Sequence, residues 1–274
     1  MNSLIATAQM TSTSDKAHNL DCAEQIIADA ARLGAKLVGL PENFLFFGDK
    51  ENATLLAAES IEGTSISRLK NCAKINRIWL SLGGFQEKAP RENKIYNTHI
   101  IINDQGEVAA IYRKIHLFSV MLPDGSTYQE ANSVDPGDEA VICPTPFAVM
   151  GLSICYDLRF FGLYHVLRDR GAELLLIPAA FTAITGKAHW EVLLRARAIE
   201  TQSYVLASAQ IGCHHQSRAT HGHAMIIDPW GTVLAQCGQN GQLAIAEIDL
   251  TYLRMLRQQM PVWQHRRFSF EGNV

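Results

Sequence analysis

The sequence predicts an α/β fold, and three observations carry that prediction. Short apolar runs alternate with helical patterns near both ends of the chain, and a β-rich stretch lies between them. No linker, low-complexity tract or shift in composition divides the 274 residues. Strand–helix–strand units of this kind place helices over a sheet. Two similar halves, each a sheet covered by helices, account for the order, and residues 1–274 read as one domain.

The elements follow in order. Residues 4–10 form a first apolar strand. Ser14-Asp15 can cap a helix in which Leu20, Ala23, Ile27 and Ala30 share a face, and Gly34 ends it. A short strand over 36–40 runs into Pro41-Glu42-Asn43-Phe44, which sets a carboxylate at a strand terminus. A polar helical region spans 51–76, and another strand occupies 78–84. Residues 96–102 and 108–112 flank the turn residues Asn103-Asp104-Gln105-Gly106, a hairpin pattern that leads into Arg113-Lys114-Ile115-His116. Residues 119–139 are polar and carry Gly and Pro; a structureless loop of that length is expected to be functional or to hide structure.

The next stretch organises the chain. Residues 147–154 read as a buried strand that stops at Cys155. Beyond it Phe160, Leu163, Val166 and Leu167 recur at helical spacing, and Gly171 ends the pattern. Cys155 therefore stands where a strand ends and a helix begins. Side chains there face the crevice in which open α/β sheets bind ligands, next to free backbone N–H groups. A strand over 173–177 leads to Phe181-Thr182, a helix spans 188–200, and a strand covers 204–208. Strands over 224–227 and 232–235 flank the Asp228-Pro229-Trp230-Gly231 turn. A strand over 243–248 and a helix built on Leu250, Leu253 and Leu256 close the chain.

Composition narrows the function. Net charge is −3, which points away from nucleic-acid and acidic-membrane partners. No tract is apolar for the ~20 residues of a membrane helix, and no secretory leader pattern opens the chain, so a soluble cytoplasmic protein is expected. Asn52-Ala53-Thr54 matches a glycosylation acceptor that such a compartment leaves idle. The six cysteines include no Cys-x-x-Cys pair and read as reduced thiols, most of them core residues.

Glu42, Lys114 and Cys155 share a pattern: each follows an apolar β-like run, at what reads as the same end of neighbouring strands. Singly, a surface Glu or Lys is the ordinary expectation. Together they make chemical sense. A thiol with an unperturbed pKa of ~8.5 needs a base or a cation, a carboxylate screened from water can be that base, and an ammonium can hold an oxyanion. Gly151-Leu152-Ser153 superficially matches a G-x-S-x-G elbow, but the final glycine is absent and Ser153 falls inside the strand. Nor does Cys155 carry a papain-like signature. Cys213, His214, His215, His221 and His223 fit no strong zinc template and read as a polar loop between strands. There is no P-loop and no GxGxxG.

With these residues in place the chain resembles the nitrilase (carbon–nitrogen hydrolase) superfamily. The resemblance rests on Leu40-Pro41-Glu42-Asn43, residues 112–118 and residues 154–160, in the order of that family's Glu–Lys–Cys triad. Further matches at 178–182, 186–191, 195–200, 222–231 and 261–267 extend it over nearly the whole chain. Within the superfamily the chain looks like the Nit branch. Its C-terminal part, notably 213–218 and 264–267, is most similar to the deaminated-glutathione amidases.

The resemblance implies an α-β-β-α sandwich, a homodimer joined through helices, a small-molecule amide substrate bearing carboxylate, and no metal or organic cofactor. It implies that Cys155 attacks the amide carbonyl, that Glu42 serves as base and then acid, and that Lys114 and the Tyr156 N–H hold the oxyanion. Water then hydrolyses the thioester. Glu130 matches a second, positioning glutamate. Phe181, Thr182 and His189 are candidates for the pocket wall, and Asp157 and Arg159 could pair structurally or touch substrate. The competing expectations are an ω-amidase acting on α-ketoglutaramate, a true nitrilase, and a non-catalytic partner-binding module.

Overall fold

A computed structural model describes residues 2–48, 51–215 and 218–268. In chain order its elements are β1 (Asn2–Met10), α1 (Lys16–Arg32), β2 (Leu37–Leu40), α2 (Glu51–Ala57), α3 (Thr64–Asn76) and β3 (Trp79–Lys88). The middle of the chain forms β4 (Ile95–Ile102), β5 (Val108–Arg113), β6 (Ser119–Met121), β7 (Thr127–Gln129), β8 (Ile142–Pro144), β9 (Val149–Leu152), α4 (Phe161–Asp169) and β10 (Leu174–Leu176). The remainder forms α5 (Ala183–Thr201), β11 (Tyr204–Ala207), β12 (Ala209–His215), β13 (Arg218–His221), β14 (Met225–Ile227), β15 (Val233–Gln236), β16 (Leu243–Asp249) and α6 (Leu250–Gln259).

One sheet has the order β13-β12-β1-β2-β3-β4-β5, with β16 also paired to β1; the other has the order β15-β14-β11-β10-β9-β8. Period-two alternation sends successive side chains of the first sheet to opposite faces. Ile5, Leu37, Ile101 and Tyr112 pack with the second sheet, while Ala6, Val38, Leu40, Ile100 and Ile102 pack under α1 and α3. Leu163 and Leu167 of α4 and Trp190, Leu194 and Ala198 of α5 cover the second sheet. The layers are therefore helix, sheet, sheet, helix.

Several boundaries differ from the sequence reading, each for a local reason. The polar helical region over 51–76 is two helices, α2 and α3. Residues 119–139 are not structureless: β6 and β7 pair antiparallel, and a 3-10 turn follows at Glu130–Asn132. The strand before Cys155 shrinks to β9. The helix after it starts only at Phe161, because Cys155–Arg159 forms a 3-10 turn. α5 begins at Ala183, five residues early, because Thr182 Oγ1 accepts from Thr185 N (3.2 Å) and caps it. The histidine-rich stretch is not a loop: β12 and β13 pair antiparallel there. Gln216 and Ser217 lie outside the described residues. No helix among the described residues is long and apolar enough to cross a membrane.

Candidate active site

Cys155 lies just beyond β9 of the second sheet, buried, with φ of 48°. That left-handed conformation costs a non-glycine residue about 1–2 kcal/mol. Neighbouring bonds hold it there. Cys155 N donates to Pro178 O (2.9 Å), and the fully buried Asp157 carboxylate grips the turn. Asp157 Oδ2 accepts from Ile154 N (2.8 Å) and Tyr112 Oη (2.6 Å). Its Oδ1 accepts from His116 N (3.0 Å) and His116 Nδ1 (2.7 Å). Asp157 thus pairs structurally, tying the turn that starts at Cys155 to the segment that carries Lys114. Ser153 lies just beyond the end of β9 rather than inside the strand, but it stays in the core. Its Oγ donates to Leu176 O and accepts from Tyr164 Oη.

Glu42 and Lys114 come from the other sheet. Both follow the C-terminal ends of its strands, but β2 and β5 are not neighbours, since β3 and β4 lie between them. The three residues converge because two sheets face each other, not because three adjacent strands end together. Gly84 makes room. Its φ is 65°, and a Cβ there would lie 2.6 Å from Glu42 Cγ and 2.7 Å from Glu42 Cα.

Around Glu42 the donors are dense. Its Oε1 accepts from Lys114 Nζ (2.9 Å) and Asn97 Nδ2 (3.0 Å), its Oε2 from Ala180 N (2.9 Å), and its carboxylate is hydrogen-bonded to the Cys155 thiol. Lys114 Nζ also donates to both oxygens of Glu130 (3.0 and 2.9 Å), and Glu130 accepts from Phe118 N (2.6 Å) and Asn97 Nδ2 (3.0 Å). One buried ammonium is shared by two carboxylates, and one amide bridges the same pair. Asn97 escaped the sequence reading. Its only signal was its place in a β-hairpin strand, where its side chain reads as an ordinary polar residue.

The electrostatics follow from this arrangement. Burial alone pushes the Glu42 carboxyl up, but the Lys114 ammonium and the hydrogen bonds outweigh it and hold Glu42 below the usual carboxylate range. Burial opposes the Lys114 charge, yet Glu130 and Glu42 keep that ammonium well above the ordinary lysine value. Burial and the Glu42 charge push the Cys155 thiol well up, with Lys114 only partly opposing them. The resting cluster is a neutral thiol beside an ionised carboxylate and an ammonium. In such a cluster a proton can pass from sulfur to Glu42 as the sulfur bonds to carbon.

A cavity of about 430 Å³ opens onto these groups, lined by Glu42, Lys114, Glu130, Cys155, Phe181 and Thr182 among others. Tyr156 is half-buried, with its ring edge-on to Phe118 and Phe160. His189 is not part of the wall. It is exposed on α5, which turns it outward, and its Nδ1 meets Arg159 Nη1 at 3.2 Å. Arg159 does line the cavity and lies over the Phe181 ring at 5.1 Å. Of the histidines of β12, His214 serves packing: it bonds Ser12 O (2.8 Å) and Thr220 Oγ1 (2.7 Å), and burial lowers its pKa to about 4, while His215 lines the cavity. Among the described residues no group of three or more His, Cys, Asp or Glu side chains is placed to hold a metal ion.

The carbon–nitrogen hydrolase family model matches residues 4–258. The chain belongs to that family. This carbon–nitrogen hydrolase is 48% identical to the deaminated glutathione amidase of Bos taurus, over 99% of this chain and 84% of the relative. It is 49% identical to the deaminated glutathione amidase of Synechocystis sp., over 97% of this chain and 98% of the relative. Among solved structures, the C. elegans NitFhit protein superposes with a TM-score of 0.93 at 42% identity, covering 98% of this chain. This chain spans 66% of that longer protein. Family and relatives together make this α/β carbon–nitrogen hydrolase an amidase.

Proposed function

We propose that this amidase hydrolyses deaminated glutathione to α-ketoglutarate and Cys-Gly, with Cys155 as nucleophile. The observation that carries the substrate is near-full-length identity, close to one residue in two, to relatives of that name in a mammal and a cyanobacterium. On this reading Cys155 Sγ bonds to the amide carbon as its proton passes to Glu42. The oxyanion that forms is held by the Lys114 ammonium and the Tyr156 backbone N–H. Collapse breaks the carbon–nitrogen bond, Glu42 returns the proton to the departing amine of Cys-Gly, and a thioester remains. Glu42 then takes a proton from water, whose hydroxyl adds to the thioester carbon. The released thiolate recovers the proton and the acid leaves. Glu130 keeps Lys114 in place. The convergence of Glu42, Lys114 and Cys155 on one cavity supports these roles.

The same reading takes 1–274 as one domain working as a homodimer in the cytoplasm. Support for the dimer comes from Ile184, Val192 and Ile199, exposed on α5 eight and seven residues apart and so along one helical stripe. Support for a reducing compartment comes from the cysteines, all of which are free. Two measurements test the function. Purified protein is expected to release α-ketoglutarate from deaminated glutathione faster than it releases ammonia from α-ketoglutaramate; inactivity on both overturns the substrate. Intact-protein mass spectrometry during turnover is expected to show an acyl adduct that Cys155→Ala abolishes together with activity. Full hydrolysis by that variant overturns the nucleophile.

A further inference from the structure

Arg218 opens β13 and lines the cavity that Cys155, Glu42 and Lys114 share. Some guanidiniums of the fold pair with carboxylates, Arg113 with Glu87, Arg197 with Glu200 and Arg266 with Asp169. The half-buried Arg168 and Arg257 donate instead to backbone carbonyls, as Arg218 does, but neither lines the cavity. Among the described residues no acid pairs with Arg218. Its Nη2 donates to Ala180 O (3.2 Å), and its Nε is buried with no hydrogen-bond partner there. Leaving a buried charged donor unmade costs more than an ordinary missing bond, so the site is incomplete without an acceptor.

Its position is held rather than loose. The guanidinium carbon lies 4.5 Å from the centre of the Tyr128 ring and 5.8 Å from that of Phe47, so the group packs against two aromatic rings. Ala180 ties this end to the chemistry: its carbonyl holds Arg218 while its N–H holds Glu42 Oε2. Arg159, the other arginine of the cavity, meets the exposed His189 Nδ1, and of the two only Arg218 has its Nε among the buried atoms left without a partner among the described residues. Among the described residues the lining acids are Glu42 and Glu130, both engaged by Lys114 and by the bridging amide of Asn97. A planar guanidinium with no carboxylate partner among the described residues is suited to donating two parallel hydrogen bonds to a carboxylate.

We propose that Arg218 binds a carboxylate of the substrate and sets the preference of this amidase for acidic amides. The inference rests on the amidase reading above and deepens it by naming the residue that reads the substrate's charge. Two carboxylates are available in deaminated glutathione, one on the keto acid and one on glycine, and matched substrate pairs separate them. One pair is α-ketoglutaramate against 4-oxopentanamide, in which a methyl group replaces the carboxylate. The other is deaminated glutathione against its C-terminal amide.

In Arg218→Gln the ratio of kcat/KM for the acidic over the neutral partner is expected to fall roughly 10- to 100-fold, mainly through KM, in the pair whose carboxylate Arg218 holds. Arg218→Lys is expected to recover part of that ratio, because charge returns without the fork. In the unmodified enzyme, α-ketoglutarate is expected to inhibit far better than 4-oxopentanoate's methyl ester, a test that does not depend on a variant folding. Ratios unchanged in both pairs overturn the proposal, as does equal inhibition by the two compounds. Failure of the unmodified enzyme to cleave any acidic amide would instead overturn the proposed substrate.

Discussion

Asn97→Ala separates what the bridging amide does for stability from what it does for activity. Asn97 Nδ2 donates to Glu42 Oε1 and to Glu130 Oε1, each at 3.0 Å, while its Oδ1 is buried with no partner among the described residues. A hydrogen bond to a charged group contributes roughly 1.5–3 kcal/mol, so truncation removes about 3–6 kcal/mol of gross interaction. Offsets are large. Glu42 keeps Lys114 and Ala180 N, Glu130 keeps Lys114 and Phe118 N, and the orphaned carbonyl disappears, returning about 1–3 kcal/mol. The net loss of stability is expected to be about 1–3 kcal/mol. Activity lacks the second offset. Glu42 loses one of the donors that orient it and hold its pKa down, and kcat/KM is expected to fall roughly 10- to 100-fold, about 1.4–2.7 kcal/mol in the barrier. The assay pairs steady-state kinetics with thermal melting of the same preparation. A folded Asn97→Ala protein within twofold of the parent kcat/KM would refute the bridge.

The remaining predictions concern pH and two further residues. The free enzyme needs Glu42 ionised and Cys155 protonated, so kcat/KM is expected to be flat between about pH 5 and 8. Its acid limb lies below the ordinary carboxyl value of 4.5, and its alkaline limb above the ordinary thiol value of 9.0. The sign for stability follows from the depressed folded-state pKa of Glu42: its contribution is present above its unfolded value and is lost as pH falls through the folded one, as acid titration of unfolding will report. Asp157→Asn puts an amide N–H₂ against two donors on whichever side it faces. It is expected to cost roughly 3 kcal/mol, or about 6–12 °C in Tm by calorimetry. Gly84→Ala drives a methyl group into the Glu42 backbone, and kcat is expected to drop on the order of 100-fold in a protein whose far-UV circular dichroism is unchanged.

Much of this was legible in residue order because periodicity is a local signal. Helix α1 and its Asp15 cap, the β4–β5 hairpin and the face made by Leu250, Leu253 and Leu256 are written within a few residues of one another. Glu42, Lys114 and Cys155 stood out for the same reason, each at the end of an apolar run. Pairings made across the chain were not legible. β16 lies antiparallel to β1 although more than 230 residues separate them, and no pattern within either strand marks the other. The assignment of Cys155 to one sheet and of Glu42 and Lys114 to the other escaped for that reason. Asn97 and Arg218 escaped too, since the value of an amide or a guanidinium depends on what surrounds it in space.

The division of the site between two sheets has a mechanical consequence. The base and the ammonium ride on one layer and the thiol on the other, so their spacing is a measure of how the layers are seated. Side chains such as Ile5, Leu37, Ile101 and Tyr112 act as the spacer between those layers, although Ile5, Leu37 and Ile101 touch none of the reacting groups by any bond described above. Asp157 is the pin, because it fastens the second layer to the first through Tyr112 and His116. Small slippage between layers opens the gap from sulfur to carboxylate while every strand ladder remains intact. Warming the protein should therefore silence it before it unfolds it, with recovery on cooling as the layers reseat.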